Sequence, residues 1–147
     1  MAKYLVVAHE TVTNPKLLDQ LRAIKKDDAQ AEFVLLVPAT PVRHLLRRVG
    51  EHDAEVVAGK LANRARSMFA RKGVHLAGTQ VGAASPVDAV DDELRENPGY
   101  AGVVVSTLPK EKSRWLQLDL PRTVESRHGV PVYHVQAPPE WSVGDLP

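Results

Sequence analysis

The segment Ser106-Thr-Leu-Pro-Lys-Glu-Lys-Ser-Arg-Trp-Leu-Gln-Leu-Asp119 holds the densest group of side chains able to do chemistry in this chain. Ser106, Thr107 and Ser113 offer hydroxyls, and Lys110, Lys112 and Arg114 offer cations. An apolar run, Ala101-Gly-Val-Val-Val105, leads into it. A short helical pattern from Asp119 to Gly129 and a last apolar stretch, Val130-Pro-Val-Tyr-His-Val135, follow it. A loop that leaves a buried strand toward a helix N-terminus is where α/β proteins hold phosphate, because free backbone N–H groups and the helix dipole both face the anion. Arginine suits two-point contact with phosphate or carboxylate. The chemistry implied is therefore anion binding. A second basic run, Arg43, His44, Arg47 and Arg48, either closes over the same place or is a solvated face balanced by Glu51, Asp53 and Glu55.

Catalysis has less support. His9, Ser106 and Asp119 are the residue types of a hydrolase triad, but no Gly-x-Ser-x-Gly elbow surrounds the serine. The six histidines show neither His-x-His nor His-Glu-x-x-His spacing, so no metal site is read. The chain has no cysteine, which removes thiolate catalysis, disulfides and cysteine-based zinc sites. His134, in the last strand, reads as a packing or interface residue, and Trp115 as an anchor for its loop in preference to a stacking platform.

The elements that must position these residues read as regular alternation. Tyr4-Leu-Val-Val-Ala8 and Phe33-Val-Leu-Leu-Val37 are continuous apolar runs of strand length, the pattern of parallel strands buried on both faces. Between them Thr13 or Asn14 offers an N-cap, Pro15 a helix start, and Leu17, Leu18, Leu21 and Ile24 one apolar stripe. Asp53 reads as the N-cap of the longest helix, which ends before Gly73. Its apolar positions are Ala54, Val57, Ala58, Leu61, Ala62, Ala65, Met68 and Phe69. Val74–Val81 reads as a third strand. Ser85-Pro-Val-Asp88 starts a helix whose stripe is Val87, Val90 and Leu94. The order β-α-β-α-β-α-β-α-β predicts an α/β fold, a parallel sheet covered by helices on both faces.

The chain has 147 residues, 44% of them hydrophobic and 25% charged, with a net charge of +1. That predicts one α/β domain over residues 1–136, with a Pro-rich C-terminal tail, Ala137–Pro147, that is extended or docks on a partner subunit. The near-neutral charge gives no field for nucleic acid or an anionic membrane. No apolar run is long enough to span a bilayer, and Met1-Ala-Lys-Tyr runs straight into a strand without a secretory leader, which together predict a cytoplasmic protein.

Several segments, taken in order, resemble the universal stress protein family. Val81-Gly-Ala-Ala-Ser-Pro-Val-Asp-Ala-Val90 is similar to the segment that opens that family's third helix. Tyr100–Thr107 is similar to its fourth strand, and Gly129-Val-Pro-Val-Tyr-His-Val135 to its closing strand. Nucleotide-binding members carry G-x-x-G, nine residues, then G-S/T. Laid on this chain without a gap, the three glycine positions fall on Ser106, Pro109 and Asp119.

The resemblance implies an open five-stranded parallel sheet ordered 3-2-1-4-5, a Rossmann-like arrangement. It also implies a homodimer through the edge strand Val130–Val135, and a role in stress response as a binding or regulatory protein acting with protein partners. In that order the topological switch lies between the first and fourth strands, where ligands of open α/β sheets bind. The implied site is lined by Ala8, His9, Glu10 and Thr11 on one side and Ser106 and Thr107 on the other, with Val37 and Pro38 as an adjacent wall. Where the family has V-D-x-S, this chain has Val7-Ala8-His9-Glu10-Thr11, so His9 or Glu10 either replaces the lost carboxylate or points to solvent. The family's ligands, ATP or AMP, meet three obstacles here. Ser106 and Pro109 restrict the turn, and Pro109 removes an N–H donor. Asp119 is expected to cap the following helix with its own carboxylate, which would occupy the phosphate donors and repel phosphate. The competing reading keeps a nucleotide or other anion on Lys110, Ser113 and Arg114 in place of the glycine loop.

Overall fold

The structure is a computed structural model describing residues 2–40, 51–109, 113–117 and 119–141. The basic run Arg43–Arg48, together with Lys110 and Lys112, lies outside the described residues. Five strands, β1 (Lys3–Val7), β2 (Glu32–Pro38), β3 (Leu76–Gly82), β4 (Gly102–Thr107) and β5 (Val132–Gln136), form one sheet in the order β3-β2-β1-β4-β5. Every pairing is parallel. The helices are α1 (Pro15–Asp27), α2 (Glu51–Arg71), α3 (Pro86–Glu96), α4 (Arg114–Gln117) and α5 (Leu120–His128).

Strand alternation divides the core into two layers. Val6, Ala8, Leu35, Val37 and Val104 face α1 and α2, where Leu17, Leu21, Leu61, Ala65 and Phe69 complete one cluster. Leu5, Val7, Leu36, Val103 and Val105 face the other way and meet Val90, Trp115, Leu120 and Val124. Successive side chains of a strand leave on opposite faces, so an apolar run without gaps is what a sheet covered on both sides requires. Trp115 sits in the second cluster as the anchor its sequence position suggests.

Three features differ from the sequence expectation. The described part of α2 already includes Glu51, so Asp53 lies inside the helix and is not its cap. Glu51, His52 and Asp53 are polar and carry no apolar signal, so periodicity cannot show that the helix already includes them. On α3 the buried residues are Pro86, Ala89, Val90 and Glu93, while Val87 and Leu94 are only partly covered. Glu93 tolerates burial because its carboxylate accepts hydrogen bonds from Tyr100 (2.8 Å) and from the Asn97 amide (3.1 Å).

The third difference is at Asp119. Asn14 and Ser85 have extended backbones and cap α1 and α3 with their side chains, accepting from the N–H groups of Lys16 and Asp88. Asp119 precedes α5 but is left-handed, at φ 53° and ψ 45°, and makes no side-chain capping bond. Its N–H donates to Leu116 O (3.0 Å) and its carbonyl accepts from Thr123 (2.9 Å). Asp119 therefore closes the single turn of α4 and opens α5 at once, with a left-handed backbone in place of the extended one that a side-chain cap uses. The expected carboxylate cap over the phosphate donors is absent. The residue does the conformational work usually left to glycine. Asp119→Gly is expected to keep or raise thermal stability, whereas Asp119→Ala lowers it by about 1 kcal/mol. A glycine variant clearly less stable than the parent in thermal unfolding would restore the capping role.

Candidate functional site

The strand order brings the C-terminal ends of β1 and β4 side by side, with Val7 opposite Val105 in register. Ala8 continues the sheet by donating its N–H to Leu36 O, and two successive turns, Val12 N–H to His9 O and Asn14 N–H to Thr11 O, carry the chain into α1. The sequence-nominated residues Ala8, His9, Glu10, Ser106 and Thr107 meet at this junction, and Val37 stands at the end of the neighbouring strand.

The described side chains at the junction are packed together. Thr11 Oγ1 and Ser106 Oγ share a hydrogen bond of 2.6 Å, and each residue is 1% exposed. Ala8, Val37 and Thr107 are also buried, and Glu10 is partly covered. Ser106 occupies the first glycine position of the resembled loop, and its hydroxyl is directed to Thr11. Thr107 Oγ1 lies 2.8 Å from His134 Nε2, which ties β4 to the edge strand. Ser113 is buried, and its Oγ accepts from Leu116 N–H (3.1 Å), so it serves as the start of α4. Arg114 is exposed. The anion triad of the competing reading is therefore split: Ser113 faces inward, Arg114 faces solvent, and Lys110 falls outside the described residues.

His9 is the chemically unusual group. It is 6% exposed, and its Nε2 has no hydrogen-bond partner among the described residues. Burial alone pushes its pKa down to about 4, so the imidazole is neutral at physiological pH. Asn14 is similar: its Oδ1 caps α1, but its Nδ2 is buried and unpartnered. Ser106 bonds to Thr11 and not to His9, so the three triad residue types do not assemble into a relay.

Two contacts at this junction were not read from the sequence. The Thr11–Ser106 bond joins residues 95 positions apart. The other comes from the C-terminal segment: Ala137 N–H donates to Thr107 O, Trp141 N–H turns back to Pro138 O, and the Trp141 indole N–H donates to Glu10 O at 3.2 Å. The described part of the tail, Ala137–Trp141, thus returns to its own chain. A tryptophan in a Pro-rich tail without periodicity was the available signal, since exposing so large an apolar ring is costly. Elsewhere, Asp91, Arg95, Arg127 and His128 line an open depression of about 370 Å³ between α3 and α5. Asp91 pairs with both Arg127 and His128, and Arg95 pairs with Asp92, so each arginine there has a carboxylate partner.

No protein-family profile and no curated relative matches the amino-acid sequence. Solved structures do match the fold. A universal stress protein in complex with cAMP superposes with a TM-score of 0.62 at 16% identity, covering 93% of this chain and 98% of its own. The fold is that of the universal stress proteins. A universal stress protein from Archaeoglobus fulgidus gives a TM-score of 0.60 at 14% identity, with 92% and 93% coverage. An Arabidopsis thaliana universal stress protein family protein with AMP bound gives 0.58 at 12% identity, with 94% and 93% coverage. At these identities the likeness to universal stress proteins carries the architecture, the expected 3-2-1-4-5 sheet included, and leaves the ligand to be argued from the site. Among the described residues no helix is long and apolar enough to cross a membrane.

Proposed function

We propose that this chain is a universal-stress-protein-like binding protein of stress response that does no chemistry and takes no ATP in the manner of glycine-loop members. One observation carries the reading: the Thr11–Ser106 hydroxyl pair, 2.6 Å apart and buried, bridges the switch point. A phosphate loop needs glycine there so that backbone N–H groups reach the ligand. The serine side chain fills that approach, and Pro109 offers no N–H at the second glycine position. With the small-molecule site closed, function falls to surfaces, and the β5 edge strand with a second copy of the chain is the proposed contact.

A second reading, a nucleotide or other anion bound near α5, is favoured by Asp119. Its left-handed backbone leaves the first turn of α5 without a side-chain cap. The cAMP and AMP complexes of the structural neighbours support the same direction. Thermal unfolding with millimolar ATP and Mg²⁺, and separately with AMP, cAMP and phosphate, distinguishes the two. The first reading predicts no change in midpoint with any of them. A ligand at a hundred times its Kd adds about 2.7 kcal/mol, so a midpoint rise of about 5–10 °C would establish the second.

A further inference from the structure

β3 is the sheet edge opposite β5, and among the described residues β2 is its only strand neighbour. From Gly73 to Val87 the chain carries no Asp, Glu, Lys or Arg, and β3 itself contains no proline. Charges and prolines are the usual means by which an edge strand is kept from pairing. β5, by contrast, lies between Pro131 and Pro138. A register shift leaves Ala77 without a partner on β2, so the regular part of the β3 edge is Gly78–Gly82. Gly82 O accepts from Ala39 N–H on the β2 side. Alternate residues of a parallel strand bond to opposite neighbours, so Gly78 and Gln80 also turn their backbone groups to β2. Thr79 and Val81 turn theirs to the open edge, where the Val81 side chain is 43% exposed.

Charge on α2 indicates the occupant. α2 packs on β2 and β3 beside this edge. Asp53 and Glu55 lie near its start, whereas Lys60, Arg64, Arg66 and Arg71 follow with no acid among them. A second copy paired antiparallel along β3 is related by a two-fold axis normal to the sheet. Its α2 then lies on the same face and runs the opposite way. Neighbouring strands are about 4.8 Å apart, which sets the two helices side by side. The acidic end of each meets the basic end of the other.

We propose that the β3 edge is a self-association surface, where a second copy of this chain adds an antiparallel strand centred on Gln80. The proposal goes beyond the β5 contact and does not depend on it. In this register Thr79 of each copy exchanges both backbone hydrogen bonds with Val81 of the other. These β-branched side chains pair across the strands on the α2 face, because Thr79 and Val81 are in register with Leu35 and Val37 of the core beneath that helix. On the opposite face the Gln80 amides meet at the two-fold, and an amide is its own complement, carrying both donor and acceptor. No like charges meet along the strand. The contact is isologous, so it closes on itself.

The absence of cysteine makes the test direct. Gln80→Cys places a single thiol at the two-fold of the full chain. Opposed residues of such a non-hydrogen-bonded pair lie about 4.5 Å apart at Cα, within reach of a disulfide. Gln136→Cys reports on the β5 edge, and Ser126→Cys, exposed on α5, reports on random collision. Non-reducing electrophoresis after mild oxidation with copper phenanthroline reads the covalent dimer. The β3 contact predicts that Gln80→Cys cross-links at least tenfold faster than Ser126→Cys. Two second-site changes should each return that rate to the Ser126→Cys level. Thr79→Pro removes an edge N–H and leaves the β2 ladder intact, and Val81→Lys puts a cation on the uncharged edge; thermal unfolding checks that each folds, and either one suffices. Gln80→Cys cross-linking no faster than Ser126→Cys would overturn the proposal. So would fast cross-linking that survives the second-site changes. Fast cross-linking through Gln136→Cys alone would uphold the β5 contact and refute this one, and through Gln80→Cys alone the reverse. Fast cross-linking at both supports the β3 contact, with copies joined edge to edge into assemblies larger than a dimer.

Discussion

Lowering the pH from 7 to 4 is expected to remove about 3 kcal/mol of stability through His9 alone. In the native protein burial holds this imidazole at a pKa of about 4, against 6.5 when unperturbed. Between those values the unfolded chain binds a proton that the folded chain refuses. Acid therefore draws the equilibrium toward unfolding: stability is complete above about pH 6.5, falls as pH approaches 4, and below that the histidine contributes no further loss. His134 is shifted in the same direction by desolvation, but it is exposed on the edge strand and adds little. Asp91, held low despite its burial by hydrogen bonds and charge from Arg127 and His128, takes effect at more acid pH, as it gains its proton. His9→Leu removes the titration along with the orphaned Nε2. The parent should lose about 6–12 °C in midpoint over this range beyond any loss in His9→Leu. Parallel pH profiles for the two proteins would mean that His9 is solvated or partnered in solution.

The second large effect belongs to the hydroxyl pair at the switch point. Ser106→Ala leaves Thr11 with a buried hydroxyl and no partner, and Thr11→Val does the same to Ser106, each at a cost of about 1–3 kcal/mol. Removing both groups abolishes the unsatisfied partner. The double variant should therefore be more stable than the sum of the single losses implies, with a coupling of about 1–2 kcal/mol. Chemical denaturation of the four proteins measures it. Additive losses would show that the two hydroxyls do not depend on each other, and would remove the bridge on which the closed site rests.

The fold was legible because its signals are repeated and local. Unbroken apolar runs such as Tyr4–Ala8, amphipathic stripes such as Leu17-Leu18-Leu21-Ile24, and Ser-Pro or Asn-Pro helix starts each carry a physical preference that agrees with the final structure. The site was legible only as a place. Alternation and resemblance indicate that His9 and Ser106 meet, because topology decides it. They do not give the state of the meeting, which depends on Thr11 Oγ1 lying 2.6 Å from Ser106 Oγ. Asp119 shows a different limit. Its residue type suits a cap, but its backbone is set by α4, a four-residue helix too short to leave a periodic trace. Trp141 and Glu10 touch across almost the whole chain, and no local pattern encodes such a contact.

The central claim is that the junction of β1 and β4 is closed to ATP. Titrating ATP with Mg²⁺ into ¹⁵N-labelled protein, while following the backbone amides of Ala8–Thr11 and Ser106–Leu108, tests it at the residues concerned. The account predicts that these amides keep their positions up to millimolar nucleotide. Saturable shifts centred on them would contradict it and place the phosphates in a loop that has replaced its glycines by other means.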